Sequence, residues 1–129
     1  AMGEELLFRG FLMGTLRPKA KPVVVIATVA VLFAAYHMSI LRFFTVGIIG
    51  LSFTIAAYRS ESIFVSMLMH FCNNLTACLV QWYPDSILRL LNADPDIANS
   101  PLTGVALVAG AAVLIAAGCL LLSRKKVLA

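Results

Sequence analysis

Ile63 to Tyr83 reads IFVSMLMHFCNNLTACLVQWY and contains no Asp, Glu, Lys or Arg; its one basic side chain is His70. A helix needs about 20 mainly apolar residues to cross the hydrocarbon of a bilayer, with about 17 as the lower limit. This stretch meets that length. Leu102 to Ser123 is wholly uncharged and meets it too. Val23 to Met38 and Phe43 to Tyr58 are shorter but adequate with their flanks. Ala1 to Leu16 is also apolar apart from Glu4, Glu5 and Arg9. The expected fold class is therefore all-α: a polytopic transmembrane helix bundle of about five helices.

Composition agrees. The chain is 61% hydrophobic and 12% charged, with a mean hydropathy of +0.97. Soluble domains average about 45–50% apolar and about 25% charged residues, and a soluble core of this size could not hide so much apolar surface. Arg17, Lys19 and Lys21 fall in the first connection, and Arg124 to Lys126 follow the last apolar run. Short basic connections favour the cytoplasmic side, and alternation then puts Arg59–Ser62 on that side as well. The membrane rule accounts for the basic residues, so no nucleic-acid partner is implied. Cys72, Cys78 and Cys119 lie in apolar runs without metal-type spacing and are expected to be buried and free of disulfides.

Arg17-Pro18 should end the first helix, because the residue before proline is biased away from the α region. Pro22 suits the first turn of the second. Gly47 and Gly50 permit close helix approach in the third. Ser60 or Ser62 could cap the fourth, and Trp82 and Tyr83 suit an interfacial belt. Residues 1–83 form the expected core. Residues 84–129 hold an interfacial amphipathic segment around Ile87 to Leu91 and a C-terminal transmembrane helix. The polar pair so near the start, with no basic region before it, reads as the tail of a helix. The chain is accordingly expected to be a fragment of a longer membrane protein.

Carboxylates and guanidinium are costly in hydrocarbon, and where they occur they mark functional sites by default. Glu5 and Arg9 are four apart and can pair on one face. Glu4 is turned about 100° from Glu5, leaving it as the free carboxylate. Phe33 and His37 share a face at the same spacing, as do His70 and Asn74. At about 1.5 Å per residue, Glu4, His37, His70 and Asn74 fall roughly 15–22 Å from the basic face of the membrane. Four polar groups from three helices thus reach a similar depth.

These residues also carry a resemblance. Glu4-Glu5-Leu6-Leu7-Phe8-Arg9 matches the E-E-x-x-x-R motif of the CAAX protease and bacteriocin-processing family of intramembrane proteases, which includes the CAAX prenyl proteases. Phe33-Ala34-Ala35-Tyr36-His37 matches its F-x-x-x-H motif, and His70-Phe71-Cys72-Asn73-Asn74 its H-x-x-x-N motif. The motifs stand in the family's order, each on its own expected helix, and the resemblance covers roughly Ala1 to Tyr83.

The resemblance implies an intramembrane endopeptidase. Glu4 would act as the base that deprotonates water, and His37 would hold and polarise that water. His70 and Asn74 would donate to the oxyanion of the tetrahedral intermediate. Glu5 and Arg9 would support Glu4. No cofactor is expected. Zinc held by Glu4 and the two histidines is the alternative, though the sequence lacks the H-E-x-x-H spacing of a zinc helix and Asn74 is a better oxyanion donor than zinc ligand. A non-catalytic protein of the bacteriocin-immunity type would keep the same motif shell. A proton-coupled transporter would need a polar path through both leaflets, whereas the polar residues here cluster at one level. The expected partners are a peptide or membrane-protein substrate and the lipid bilayer, and the expected location is the bacterial plasma membrane.

Overall fold

A computed structural model describes residues 1–83 and Asp85 of the chain. The expected amphipathic segment, the C-terminal helix and Cys119 lie outside the described residues. Four helices account for nearly all of what is described. Helix α1 covers residues 2–16 as three contiguous segments, Met2–Glu5, Leu6–Leu12 and Met13–Leu16, of which the middle one is π-helical. Helix α2 is Pro22–Tyr36, α3 is Ile40–Ser60 and α4 is Ile63–Trp82. No strand occurs among the described residues.

The ends follow local rules. Leu16 is the last residue of α1, just before Arg17-Pro18, and Pro22 opens α2 at a position where its missing N–H costs nothing. The α2–α3 and α3–α4 turns each reverse through a left-handed residue, Met38 (φ 46°) and Glu61 (φ 56°). Such a residue ends many helices. The polar turn is tighter than the sequence indicates, because α3 continues through Arg59 and Ser60. Ser62 occupies the cap position of α4 with extended backbone, yet no side-chain cap bond forms. The Ser60 hydroxyl donates instead to the Ser62 carbonyl, 3.3 Å away.

Helix α3 is central. It packs against α2 on one side and α4 on the other, while α1 lies against α2 and α4. One apolar cluster joins Phe8 and Met13 of α1, Val25, Val29 and Phe33 of α2, and Ala57 of α3. A second joins Ile49, Phe53 and Ala56 of α3 to Met69 of α4. The close α2–α3 approach depends on Gly50, where a Cβ would come within 2.6 Å of the Phe33 ring, and on Gly47, where it would touch Ala34 at 3.6 Å.

Polarity is distributed the opposite way from a soluble domain. Glu5, Arg9, Thr54, Ser66 and His70 are buried, while Val23, Ile40, Leu41, Phe44, Phe64, Leu68 and Trp82 are exposed. Soluble proteins almost never bury unpaired charge and keep contiguous exposed apolar surface small. A bilayer makes the exposed apolar faces ordinary, since they meet acyl chains, and it leaves the buried charges as the unusual feature. Helices α3 and α4 are long and apolar enough to cross it; α2 is apolar but shorter. At the basic end, Arg17 of the first connection bonds Glu61 of the α3–α4 turn at 2.7 Å and stacks over Tyr58. Those two connections therefore share one side, as alternation requires. Cys72 and Cys78 are free but exposed on α4, not buried as their apolar surroundings in the sequence imply. The reason is that the α4 face carrying them has no protein neighbour among the described residues.

Candidate active site

Among the described residues, Arg9 is held by three side-chain hydrogen bonds and a stacked ring. It is 1% exposed and sits in the π-helical stretch, whose wider turn is uncommon and is frequent at functional sites. Its Nη1 donates to Glu5 Oε1 at 2.9 Å, its Nη2 to the Gly50 carbonyl at 2.8 Å and its Nε to Thr54 Oγ1 at 3.2 Å. The Thr54 hydroxyl in turn donates to the Gly50 carbonyl at 2.7 Å. The guanidinium also lies over the Phe33 ring, 4.2 Å from its centroid, a cation–π contact that strengthens when desolvated. A charge can stay buried when paired and bonded in this way. Arg9 thus ties α1 to α3 and stacks on α2.

Glu5, fully buried, is the second element. The four-residue spacing correctly pairs it with Arg9, but it has a further partner. The same Oε1 atom accepts from His70 Nδ1 at 2.8 Å, across 65 residues of sequence. Its other oxygen, Oε2, is buried with no hydrogen bond among the described residues. Ser66, buried one turn before His70, donates to the Ile63 carbonyl at 3.0 Å.

Glu4 stands on the open side. Its side chain is 30% exposed, and its Oε2 lies 3.6 Å from His70 Nε2, a gap just beyond hydrogen-bond length. The single imidazole of His70 therefore touches Glu5 through one nitrogen and faces Glu4 with the other. Glu4 is turned away from the Glu5–Arg9 pair, as the 100° rotation implies.

His37 follows the last residue of α2 and is half-buried. Its Nδ1 bonds the Phe33 carbonyl oxygen at 2.9 Å. A carbonyl only accepts, so His37 Nδ1 carries the proton and Nε2 is left for other partners. The Phe33 ring packs edge-on against both imidazoles, with centroids 5.0 Å from His37 and 5.9 Å from His70. Phe53 adds a tilted contact with His70 at 5.2 Å. Asn74 lies one turn beyond His70 and is exposed; its Oδ1 accepts from the neighbouring Asn73 at 3.4 Å.

Of the six residues singled out in the sequence, Glu4, Glu5, Arg9 and His70 form one connected group. His37 touches the Phe33 ring that also packs on His70, whereas Asn74, exposed one turn further along the His70 helix, bonds only Asn73 among the described residues. Thr54 and Phe33 complete the seat of Arg9, and Ser66 lines the pocket of Glu5. Their signal was slight: Thr54 follows Gly50 by four residues and Ser66 precedes His70 by four, so each is a small polar group sharing a face with a position already of interest. Among the described residues, no three His, Cys, Asp or Glu side chains converge as a metal site requires. The carboxylate-and-imidazole pair suits proton transfer at a polar bond brought to the Glu4 edge.

Residues 1–76 match the family model described as Type II CAAX prenyl endopeptidase Rce1-like. That span contains every residue of the group, Glu4 through Asn74. No curated protein and no solved structure matches the chain.

Proposed function

Because the chain belongs to the Type II CAAX prenyl endopeptidase Rce1-like family, we propose that it is an intramembrane endopeptidase in which Glu4 activates water and no metal takes part. The observation that carries this reading is the 3.6 Å approach of Glu4 Oε2 to His70 Nε2. A general base must reach the proton it removes directly or through one water, and Glu4 is the one carboxylate of the group with an open side. Glu5 and Arg9 are already committed to each other.

In this reading, Glu4 removes a proton from a water held with the help of His37, and the water oxygen attacks the scissile carbonyl. His70 and Asn74 face the oxyanion that results. Donors fixed in a water-poor site are worth more there than in bulk solvent. The exposure of Asn74 fits a group that meets substrate rather than one that holds the fold. The substrate would be a peptide or a membrane protein that reaches the group laterally, since the flanking surfaces of α4 are apolar.

Zinc held by Glu4, His37 and His70 remains the competing chemistry. It has one specific support: a neutral imidazole whose Nδ1–H is bound to an oxygen offers Nε2 as a ligand, and both histidines are held at Nδ1. Against it stands the lack of a third converging donor among the described residues. Metal analysis of purified protein, with chelator treatment, separates the two.

The deciding experiment compares wild type and Glu4→Gln on a peptide library in detergent or liposomes. The expected outcome is loss of cleavage by at least about 10²-fold with an unchanged helical spectrum. Cleavage by Glu4→Gln at the wild-type rate sinks the proposal. Proton flux through liposomes that is abolished in the same variant, without any cleavage by wild type, would favour a transporter. Absence of both activities would favour an immunity-type binder.

A further inference from the structure

We infer that Glu5, whose side chain lies on the far side of His70 from the open edge, is a positioning residue that makes His70 Nε2 a proton carrier between Glu4 and the departing amine. The inference rests on the peptidase reading of the same site and adds a role that the Glu5–Arg9 ion pair alone does not supply.

Three observations carry it. First, the bond between Glu5 Oε1 and His70 Nδ1 is 2.8 Å long and buried. Glu5 is paired with Arg9, a permanent cation, and an ionised carboxylate only accepts. The proton of that bond therefore belongs to His70 Nδ1. Second, the other ring nitrogen, Nε2, is the one that faces Glu4, at 3.6 Å. Third, Arg9 is held by Thr54 and Gly50 as well as by Glu5. A carboxylate needed only to satisfy Arg9 has no reason to reach across to α4, yet the Glu5 Oε1 that accepts from Arg9 also accepts from His70.

The consequence is chemical. A neutral His70 with its hydrogen on Nδ1 has a bare lone pair at Nε2 and cannot donate to an oxyanion. It becomes a donor only after accepting a proton. The sequence of transfers then balances. Glu4 takes a proton from water as the water oxygen bonds to the scissile carbon and the carbonyl electrons move to oxygen. That proton passes from Glu4 Oε2 to His70 Nε2. The imidazolium so formed donates Nε2–H to the oxyanion while its Nδ1–H stays on Glu5. When the carbon–nitrogen bond breaks, the proton moves from Nε2 to the amine nitrogen, and both side chains return to their starting states.

The test reads the tautomer directly. The chain holds two histidines, so nitrogen-15 spectra of the full chain labelled at histidine contain two ring systems, and His37→Gln identifies His70 by elimination. The expected result for neutral wild-type His70 is a protonated Nδ1 and a bare Nε2. In Glu5→Gln, which keeps the shape but can turn an amide N–H toward Nδ1, the population should move toward the Nε2–H form. Its kcat should drop by about 10²-fold while KM stays within about twofold. In a Glu4→Gln background the same change should cost nothing more, because residues acting as one unit are not additive. A wild-type His70 protonated at Nε2 overturns the inference without any variant. So does a Glu5→Gln enzyme whose kcat falls while its tautomer stays put, since that is only structural damage. A tautomer that behaves as expected in a protein that cleaves nothing supports the Glu5–His70 coupling and overturns the peptidase reading instead.

Discussion

Glu4 and Glu5 are adjacent in sequence but occupy opposite surroundings. Glu5 is sealed among Arg9, His70 and Ser66 on the inner side of α1, whereas Glu4 faces an open edge beside His70. The inner region is crowded with bonds that cross between helices. The outer one has almost none: Asn74 bonds only its sequence neighbour, and Glu4 stops short of hydrogen-bond contact. Groups that hold a fold are tied by bonds between helices, and groups that perform chemistry keep valence free for substrate. One residue, about 100° of helix rotation, separates the two acids, so substitutions on the two sides should have different signatures.

The largest effect is expected inside. Arg9→Met leaves Glu5 as a buried charge without its cation, and removing one member of a buried pair costs about 3–5 kcal/mol. Thermal or denaturant unfolding in detergent should show that loss, and stability near wild type would mean that Arg9 is not the clamp described here. On the outer side, Asn74→Ala should lower kcat by about 10²–10³-fold, as loss of an oxyanion donor does, with the unfolding midpoint unmoved. A stability loss without a rate loss would reverse the assignment of Asn74. Gly50→Ala probes the seat beneath Arg9. Its new methyl meets the Phe33 ring at 2.6 Å, and overpacking of that kind costs about 1–3 kcal/mol. Unchanged stability would show that the ring can yield. The smallest effect belongs to Glu61→Gln, which breaks the exposed pair with Arg17. Surface pairs contribute about 0–1 kcal/mol, so a drop of several kcal/mol would show that the basic end holds the bundle together.

Much of this arrangement was legible without coordinates, and for a local reason. Spacing within one helix is fixed by the backbone, so the Glu5–Arg9 pair, the outward turn of Glu4 and the shared face of Phe33 and His37 could be read from residue numbers. Pro18 and Pro22 fixed helix ends through their own ring geometry, and Gly50 signalled close approach through its missing side chain. Contacts between helices carry no such numbering. Glu5 reaches His70 only because α1 lies against α4, and Arg9 reaches Thr54 only because α3 passes beside it; both depend on packing angles that no periodicity encodes. Nothing in Leu6 to Leu12 distinguishes a π-helix from an α-helix. The burial expected for Cys72 and Cys78 failed for a related reason, because an apolar helix facing lipid has the same composition as one facing protein.

The π-helical stretch of α1 has one more implication. It lies between the two acids and the Leu16 end of the helix, so its widened coil sets the rotational phase of everything before it. Rewinding those seven residues as an ordinary helix, with none removed, would swing Glu4 by about one residue's rotation, roughly 100° around the axis, pointing the reactive acid toward lipid or into the packed interior. The angular setting of this site is thus built into an irregularity of the backbone that follows the reactive acid in the chain.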